Sequence, residues 1–180
     1  MSIIFMGTPE WAIPSLKALI DSRIKVSAVF TQPDRRTGRK KQLLASPIKK
    51  FAEKNEIKVF SPERTGSSEN VKILNSFNPE LVILCAYGQI LNKSILEIPR
   101  IGCFNLHFSL LPKLRGASPV QTAISLGIEK TGVCLQKMIL RLDAGPIIAS
   151  SKPIKIKPSE TSPMLGDKLA RMGGLLIRDT

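Results

Sequence analysis

The chain is short of histidine, of acidic residues and of long apolar runs, and each shortage narrows what it can be. It has one histidine, His107, in 180 residues, so any imidazole chemistry rests on that position. Its three cysteines, Cys85, Cys103 and Cys134, lie far apart within apolar runs. An odd number at no zinc spacing reads as buried, reduced thiols, and no metal site is expected. No apolar run approaches the roughly 20 residues that span a bilayer, so no membrane partner is expected. Met1–Gly7 has neither a basic region nor a small-residue cleavage site; it reads as a first strand, and a cytoplasmic location is expected. Gly7-Thr8-Pro9-Glu10 closes that strand without the Gly-x-Gly-x-x-Gly pattern, and no Walker A sequence occurs. Dinucleotide and nucleoside-triphosphate binding therefore lack local support.

Acidic residues are outnumbered, 14 Asp and Glu against 27 Lys and Arg, for a formal net charge of +13. That excess favours a polyanionic partner by long-range attraction, nucleic acid being the usual one. Five basic residues, Arg35, Arg36, Arg39, Lys40 and Lys41, gather in the segment 32–46, which shows no regular pattern. It contains no aromatic residue, so it suits phosphate contact better than base stacking.

Short β-branched runs alternate with helical segments along the whole length. Ile3–Met6, Val26–Thr31, Lys58–Phe60, Leu81–Ala86, Gly102–His107, Gly132–Lys137 and Ile147–Ile156 read as strands. Leu81–Ala86 is apolar throughout, as a strand covered on both faces should be. Ser46-Pro47, Ser118-Pro119 and Ser162-Pro163 each read as a capping serine before a proline at the first helical position. Helices are expected at Ala12–Asp21, Pro47–Asn55, Glu69–Asn75, Lys93–Leu96, Pro119–Ser125 and Pro163–Ile177. The alternation predicts an α/β fold: an open, mostly parallel twisted sheet with helices on both faces, binding ligands outside the carboxyl ends of its strands.

His107 falls at such an end. Asn105, His107 and Ser109 are two apart and would share one face of a strand, with Phe104, Leu106 and Phe108 on the other. Thirty-six positions on, Leu142-Asp143-Ala144-Gly145-Pro146 adds a carboxylate before a small-residue turn. An amide, an imidazole and a carboxylate without a serine or cysteine nucleophile suit acyl transfer between two bound molecules, one of which supplies the nucleophile.

On these residues the chain resembles the folate-dependent formyltransferases, which have a Rossmann-like fold. The resemblance runs through Phe5-Met6-Gly7-Thr8-Pro9-Glu10-Trp11-Ala12, Gln32-Pro33-Asp34-Arg35, Ala86-Tyr87-Gly88-Gln89-Ile90-Leu91 and Asn105-Leu106-His107-Phe108-Ser109-Leu110-Leu111-Pro112 to Leu142–Pro146. The Gln32–Arg35 stretch with Gly38-Arg39 points to the branch acting on methionyl-tRNA. The resemblance implies 10-formyltetrahydrofolate as formyl donor, methionyl-tRNA as acceptor, and Asn105, His107 and Asp143 as catalytic residues. Asn105 and a protonated His107 would stabilise the developing oxyanion, and Asp143 would help order a water that moves the proton. It further implies that Ser109, Leu110, Leu111, Pro112, Gln89, Ile90 and Leu91 hold the folate, and that Arg35, Arg39 and Lys41 contact tRNA.

Two departures stand out. The family's usual Arg-Pro-Ala-Gly-Arg-Gly-Lys-Lys reads Arg35-Arg36-Thr37-Gly38-Arg39-Lys40-Lys41-Gln42, which is more basic. The family also carries a C-terminal β-barrel domain that contacts tRNA. Residues 1–180 read as the catalytic domain, incomplete at its C-terminal end, with that barrel absent; a monomer is the expected state. The same three residues would serve another formyl acceptor or water, and a catalytically idle RNA-binding remnant is the remaining alternative.

Overall fold

β-branched runs separated by proline-started helices fold here into a doubly wound sheet. The computed structural model describes residues 1–37 and 42–180. The chain runs β1 (Ser2–Gly7), a 3₁₀ turn (Glu10–Ala12), α1 (Ile13–Asp21), β2 (Lys25–Phe30), β3 (Arg35–Thr37), β4 (Gln42–Leu44), α2 (Pro47–Lys54) and β5 (Val59–Phe60). It continues as α3 (Ser68–Ser76), β6 (Leu81–Cys85), α4 (Lys93–Leu96), β7 (Gly102–His107), α5 (Pro119–Ser125) and β8 (Lys130–Thr131). β9 (Cys134–Lys137), β10 (Ile147–Ser150), β11 (Ile154–Lys155) and α6 (Ser162–Asp179) complete it.

The main sheet has seven strands in the order β10-β9-β7-β6-β1-β2-β5. The five from β7 to β5 are parallel, as the alternation predicts. β9 and β10 are antiparallel and form one edge, which the alternation does not reveal. Progress from β1 goes outward to β2 and β5, then returns to β6 and β7 on its other side. The switch between β1 and β6 opens a crevice at the carboxyl ends of the strands.

Both faces of the sheet are covered. Ile3 and Phe5 of β1 join a core with α1, α2, α5 and α6, while Ile4 and Met6 join a second with α3 and α4. Burial on both faces explains the unbroken apolar sequence of β6. α6 lies close because it turns glycines inward. A Cβ at Gly166 would come within 2.1 Å of the Trp11 ring, and one at Gly174 within 2.7 Å of the Pro14 carbonyl oxygen. Among the described residues, no helix is long and apolar enough to cross a membrane.

Several boundaries differ from the sequence reading. Gly132–Lys137 begins later, as β9 from Cys134, with β8 just ahead of it, and Ile147–Ile156 divides: β9 and β10 pair in the main sheet, while β8 and β11 pair as a separate ribbon. Pro153, lacking an N–H, falls between β10 and β11. Part of the 32–46 segment is regular, because β3 and β4 pair as an antiparallel hairpin. The serines also diverge. Ser46 Oγ accepts the Lys49 N–H at 3.0 Å, a true cap. Ser118 occupies the cap position of α5 without a side-chain bond. Ser162 lies inside α6, since the Leu165 N–H already reaches the Thr161 carbonyl at 2.9 Å. A proline in the first turn accepts either placement, because neither removes a needed donor.

Ser46 also shares a hydrogen bond with buried Thr31 Oγ1 at 2.7 Å. Ser46→Ala is expected to destabilise the fold by about 2 kcal/mol through the lost cap and the stranded hydroxyl. Thermal denaturation should show a Tm lower by roughly 4–8 °C; a Tm unchanged within 1 °C would contradict it.

Candidate active site

The cleft at the switch point has a volume of about 610 Å³, within the usual range for small-molecule sites. Pro9 and Trp11 after β1, Ala86–Leu91 after β6, and Asn105–Phe108 of β7 and beyond line it, with Gly116–Gln121 and Met138–Gly145 closing the far side. All three catalytic residues expected from the sequence, Asn105, His107 and Asp143, are among these linings.

Asn105 and His107 share a face of β7, as period-two spacing requires. In register across β9 they oppose Gln136 and Cys134. Residues opposed in an antiparallel ladder share a face, so Gln136 stands beside Asn105. Asn105 is half-buried, and its side-chain amide makes no hydrogen bond among the described residues.

His107 is 5% exposed, and its ring is held by a hydrogen bond at one nitrogen. Nε2 lies 2.8 Å from the Leu114 carbonyl oxygen. A carbonyl can only accept, so Nε2 carries the hydrogen and Nδ1 turns toward Asp143. The Nδ1 to Oδ2 separation is 3.8 Å, beyond a direct hydrogen bond. The Asp143 carboxylate is anchored elsewhere: Oδ2 accepts the Gly116 N–H and Oδ1 accepts from Gln136 Nε2, each at 2.8 Å.

Backbone strain gathers around this cleft. Six non-glycine residues among those described have positive φ. Arg23, Glu56 and Asn78 each stand just past a helix C-cap, where a left-handed residue is the ordinary terminator. The other three are Ala86 (φ 48°), Leu114 (φ 57°) and Asp143 (φ 45°). Ala86 and Asp143 line the cleft, and Leu114 holds the histidine. Three positive-φ residues thus gather at or beside this one cleft.

The 86–91 loop is fixed from behind. Thr8 Oγ1 and Gln32 Nε2 donate to the Tyr87 carbonyl at 2.7 and 3.3 Å. Gln89 uses its side chain on the 62–65 segment: Oε1 accepts from Thr65 N–H and Oγ1, and Nε2 donates to the Pro62 carbonyl. The Tyr87 phenol also bonds Thr65, and burial pushes its pKa up. What this loop offers a ligand is therefore backbone and apolar surface. Ile90, Ile139, Leu140 and Leu142, all exposed at the rim, add to that surface.

Of the remaining expected site residues, Gln89, Ile90 and Leu91 line the cleft, whereas Ser109, Leu110, Leu111 and Pro112 are not among its linings. β7 ends at His107, so Ser109 does not extend its polar face; its buried Oγ donates to the Lys113 carbonyl at 2.7 Å. The Lys113 N–H bonds back to the Leu110 carbonyl, so the turn that presents the Leu114 carbonyl to His107 is built here. Arg35 is exposed on the hairpin and donates to Gln32 Oε1 at 3.3 Å. Arg39 and Lys41 lie outside the described residues. All three cysteines are free and buried, and burial raises the Cys85 and Cys103 thiols to about 12, which keeps them protonated and inert.

Sequence reasoning missed Gln136, the Leu114 carbonyl and the Gly116 N–H. A glutamine directly after the apolar run Val133–Leu135 was the one visible signal. The two backbone groups carry none, since every residue has them.

The family model described as "Formyl transferase" matches residues 1–179. A protein of Halorhodospira halophila named methionyl-tRNA formyltransferase is 46% identical over 175 residues, which is 97% of this chain and 56% of that protein. One of Thermotoga maritima with the same name is 44% identical over 172 residues, 96% of this chain and 55% of its own length. This chain thus spans little more than half the length of those relatives. Among solved structures, glycinamide ribonucleotide transformylase 1 from Symbiobacterium toebii superposes with a TM-score of 0.81 at 17% identity, covering 99% of this chain and 84% of that one. Phosphoribosylglycinamide formyltransferase from Bacillus halodurans gives 0.79 at 21% identity, covering 98% and 91%. At such identities these two structures speak to the fold alone. With the family match extending over the whole chain but its last residue, and with relatives of high identity along nearly all of it, this chain belongs to the formyl transferase family.

Proposed function

We propose that the chain transfers a formyl group from 10-formyltetrahydrofolate to the α-amine of methionyl-tRNA in the cytoplasm. The observation that carries this reading is the meeting of Asn105, His107 and Asp143 in an apolar-walled cleft at the switch point. The names of relatives more than 40% identical supply the acceptor.

The cleft suits the donor. A flat heterocycle with several hydrogen-bonding edges needs apolar walls and free backbone groups. The 86–91 loop and the exposed Ile139, Leu140 and Leu142 offer such walls. When bound, 10-formyltetrahydrofolate supplies the formyl group: its carbon takes the amine, its oxygen gathers negative charge, and N10 leaves with a proton. Asn105, with no side-chain partner among the described residues, is the donor free to meet that oxygen. His107 can join it only by releasing the Leu114 carbonyl, a rearrangement that substrate binding can drive. Asp143 faces the opposite edge of the ring, so a ring protonated at both nitrogens would have an acceptor on each side. The gap of 3.8 Å between Nδ1 and Oδ2 leaves that proton free to move to or from the reacting groups.

The acceptor's polyanionic backbone would meet the basic hairpin, where Arg35 stands beside Arg36, with Arg39 and Lys41 in the connecting residues. Through Gln32, Arg35 is joined to the same carbonyl that anchors the 86–91 loop. The test is incubation with methionyl-tRNA and 10-formyltetrahydrofolate, scored for formyl-methionine, beside small primary-amine acceptors. Formylation of the tRNA in preference to the small amines is expected, weakening as salt rises. Equal or better transfer to a small amine would overturn the assignment of the acceptor.

A further inference from the structure

We infer that Gln136 is a positioning residue for formyl transfer, fixing the carboxylate that serves His107; the inference rests on the reading just given. Gln136 is 2% exposed and lines the cleft between Asn105 and Asp143. Its Nε2 donates to Asp143 Oδ1 at 2.8 Å, while its Oε1 is buried with no hydrogen-bond partner among the described residues. An ionised carboxylate can only accept, so Asp143 dictates which end of the amide faces it. The orphaned oxygen is the consequence. A buried acceptor left without a partner is unfavourable, and a methionine of the same length would fill the space without it. Packing alone therefore gives no reason for glutamine here.

Asp143 supplies the reason. Gly116 and His107 both approach Oδ2, so Gln136 is the side chain that holds Oδ1. Without it the carboxylate is free to rotate about its own bond, and Oδ2 leaves the line toward Nδ1. Both partners are nearly enclosed, with side-chain exposures of 5% and 6%, so no bulk solvent compensates. The order Gln136 to Asp143 to His107 to the Leu114 carbonyl thus runs as one chain of contacts across β9, the 138–145 connection and β7.

The single histidine makes this testable without activity, because every imidazole resonance belongs to His107. Q136M should keep its Tm within a few degrees of wild type and move the ring nitrogen resonances toward those of D143A. The double variant Q136M/D143A should match D143A. In formyl transfer, Q136M should lower kcat by about 10²-fold, as misplacement of a reacting group by an ångström does, with both KM values within about threefold. The reciprocal measurement needs no change at position 136. The Gln136 side-chain amide protons should exchange slowly in the wild type and lose that protection in D143A. Wild-type ring resonances in Q136M, unaltered amide exchange in D143A, or kcat losses that multiply in the double variant would overturn the inference. A wild type that formylates no amine would sink the functional reading instead, and the ring spectra would still decide whether Gln136 holds Asp143 against His107.

Discussion

His107→Ala is expected to lower kcat about 10³-fold while leaving KM for the folate within about threefold. The ring is the only imidazole in the chain, and it lies between the Leu114 carbonyl and the Asp143 carboxylate. Its removal takes away the group that moves the proton but not the walls that hold the donor, so the loss should fall on turnover. There is a structural part as well. The Leu114 carbonyl loses its partner on a residue already at φ 57°, which should destabilise the fold by roughly 1–3 kcal/mol. Asn105→Ala separates the two effects. Asn105 makes no side-chain bond among the described residues, so its loss should lower kcat by about 10²–10³ with an unchanged Tm. Steady-state kinetics on both variants, with thermal denaturation alongside, is the measurement. A His107→Ala protein within tenfold of wild-type turnover would remove the imidazole from the mechanism.

Gly145→Ala is expected to give the largest loss of stability from a single methyl group. A Cβ at Gly145 would stand 1.7 Å from the Lys137 carbonyl oxygen and 2.9 Å from its carbon. Both are backbone atoms at the end of β9, and no rotamer relieves the overlap. The neighbouring Lys137 N–H bonds the Pro146 carbonyl at 2.9 Å, so the two segments cannot separate without breaking that bond. Forcing them apart should destabilise the fold by about 3 kcal/mol or more, lowering Tm by roughly 6–12 °C. The damage reaches the chemistry, because Gly145 follows Asp143 by two residues and Lys137 follows Gln136 by one. Turnover should fall with stability even well below the melting transition. A soluble Gly145→Ala protein with wild-type Tm would show that this contact is looser than the geometry requires.

Much of this architecture is readable from local pattern. Period-two spacing puts Asn105 and His107 on one face of β7, and an apolar run marks β6 as covered on both sides. Ser46 before Pro47 starts α2 where expected, because a cap is a contact between near neighbours in sequence. The same reasoning fails at Ser162, where a shift of one residue moves the cap position to Thr161, and at Ile147–Ile156, where two short strands join different sheets. Each failure turns on what the segment packs against, which no local window contains.

Local sequence was enough for the α/β class, for most of the segments that build it and for the shared face of Asn105 and His107, because propensity and periodicity are properties of short stretches. The antiparallel pairing of β9 and β10, the place of Gln136 between Asn105 and Asp143, and the hold of the Leu114 carbonyl on the histidine come from the assembled fold. It also placed the Ser109–Pro112 turn outside the cleft linings. These are matters of register and of loop closure between residues tens of positions apart, and a backbone carbonyl or N–H acquires a role only when the fold brings something to meet it.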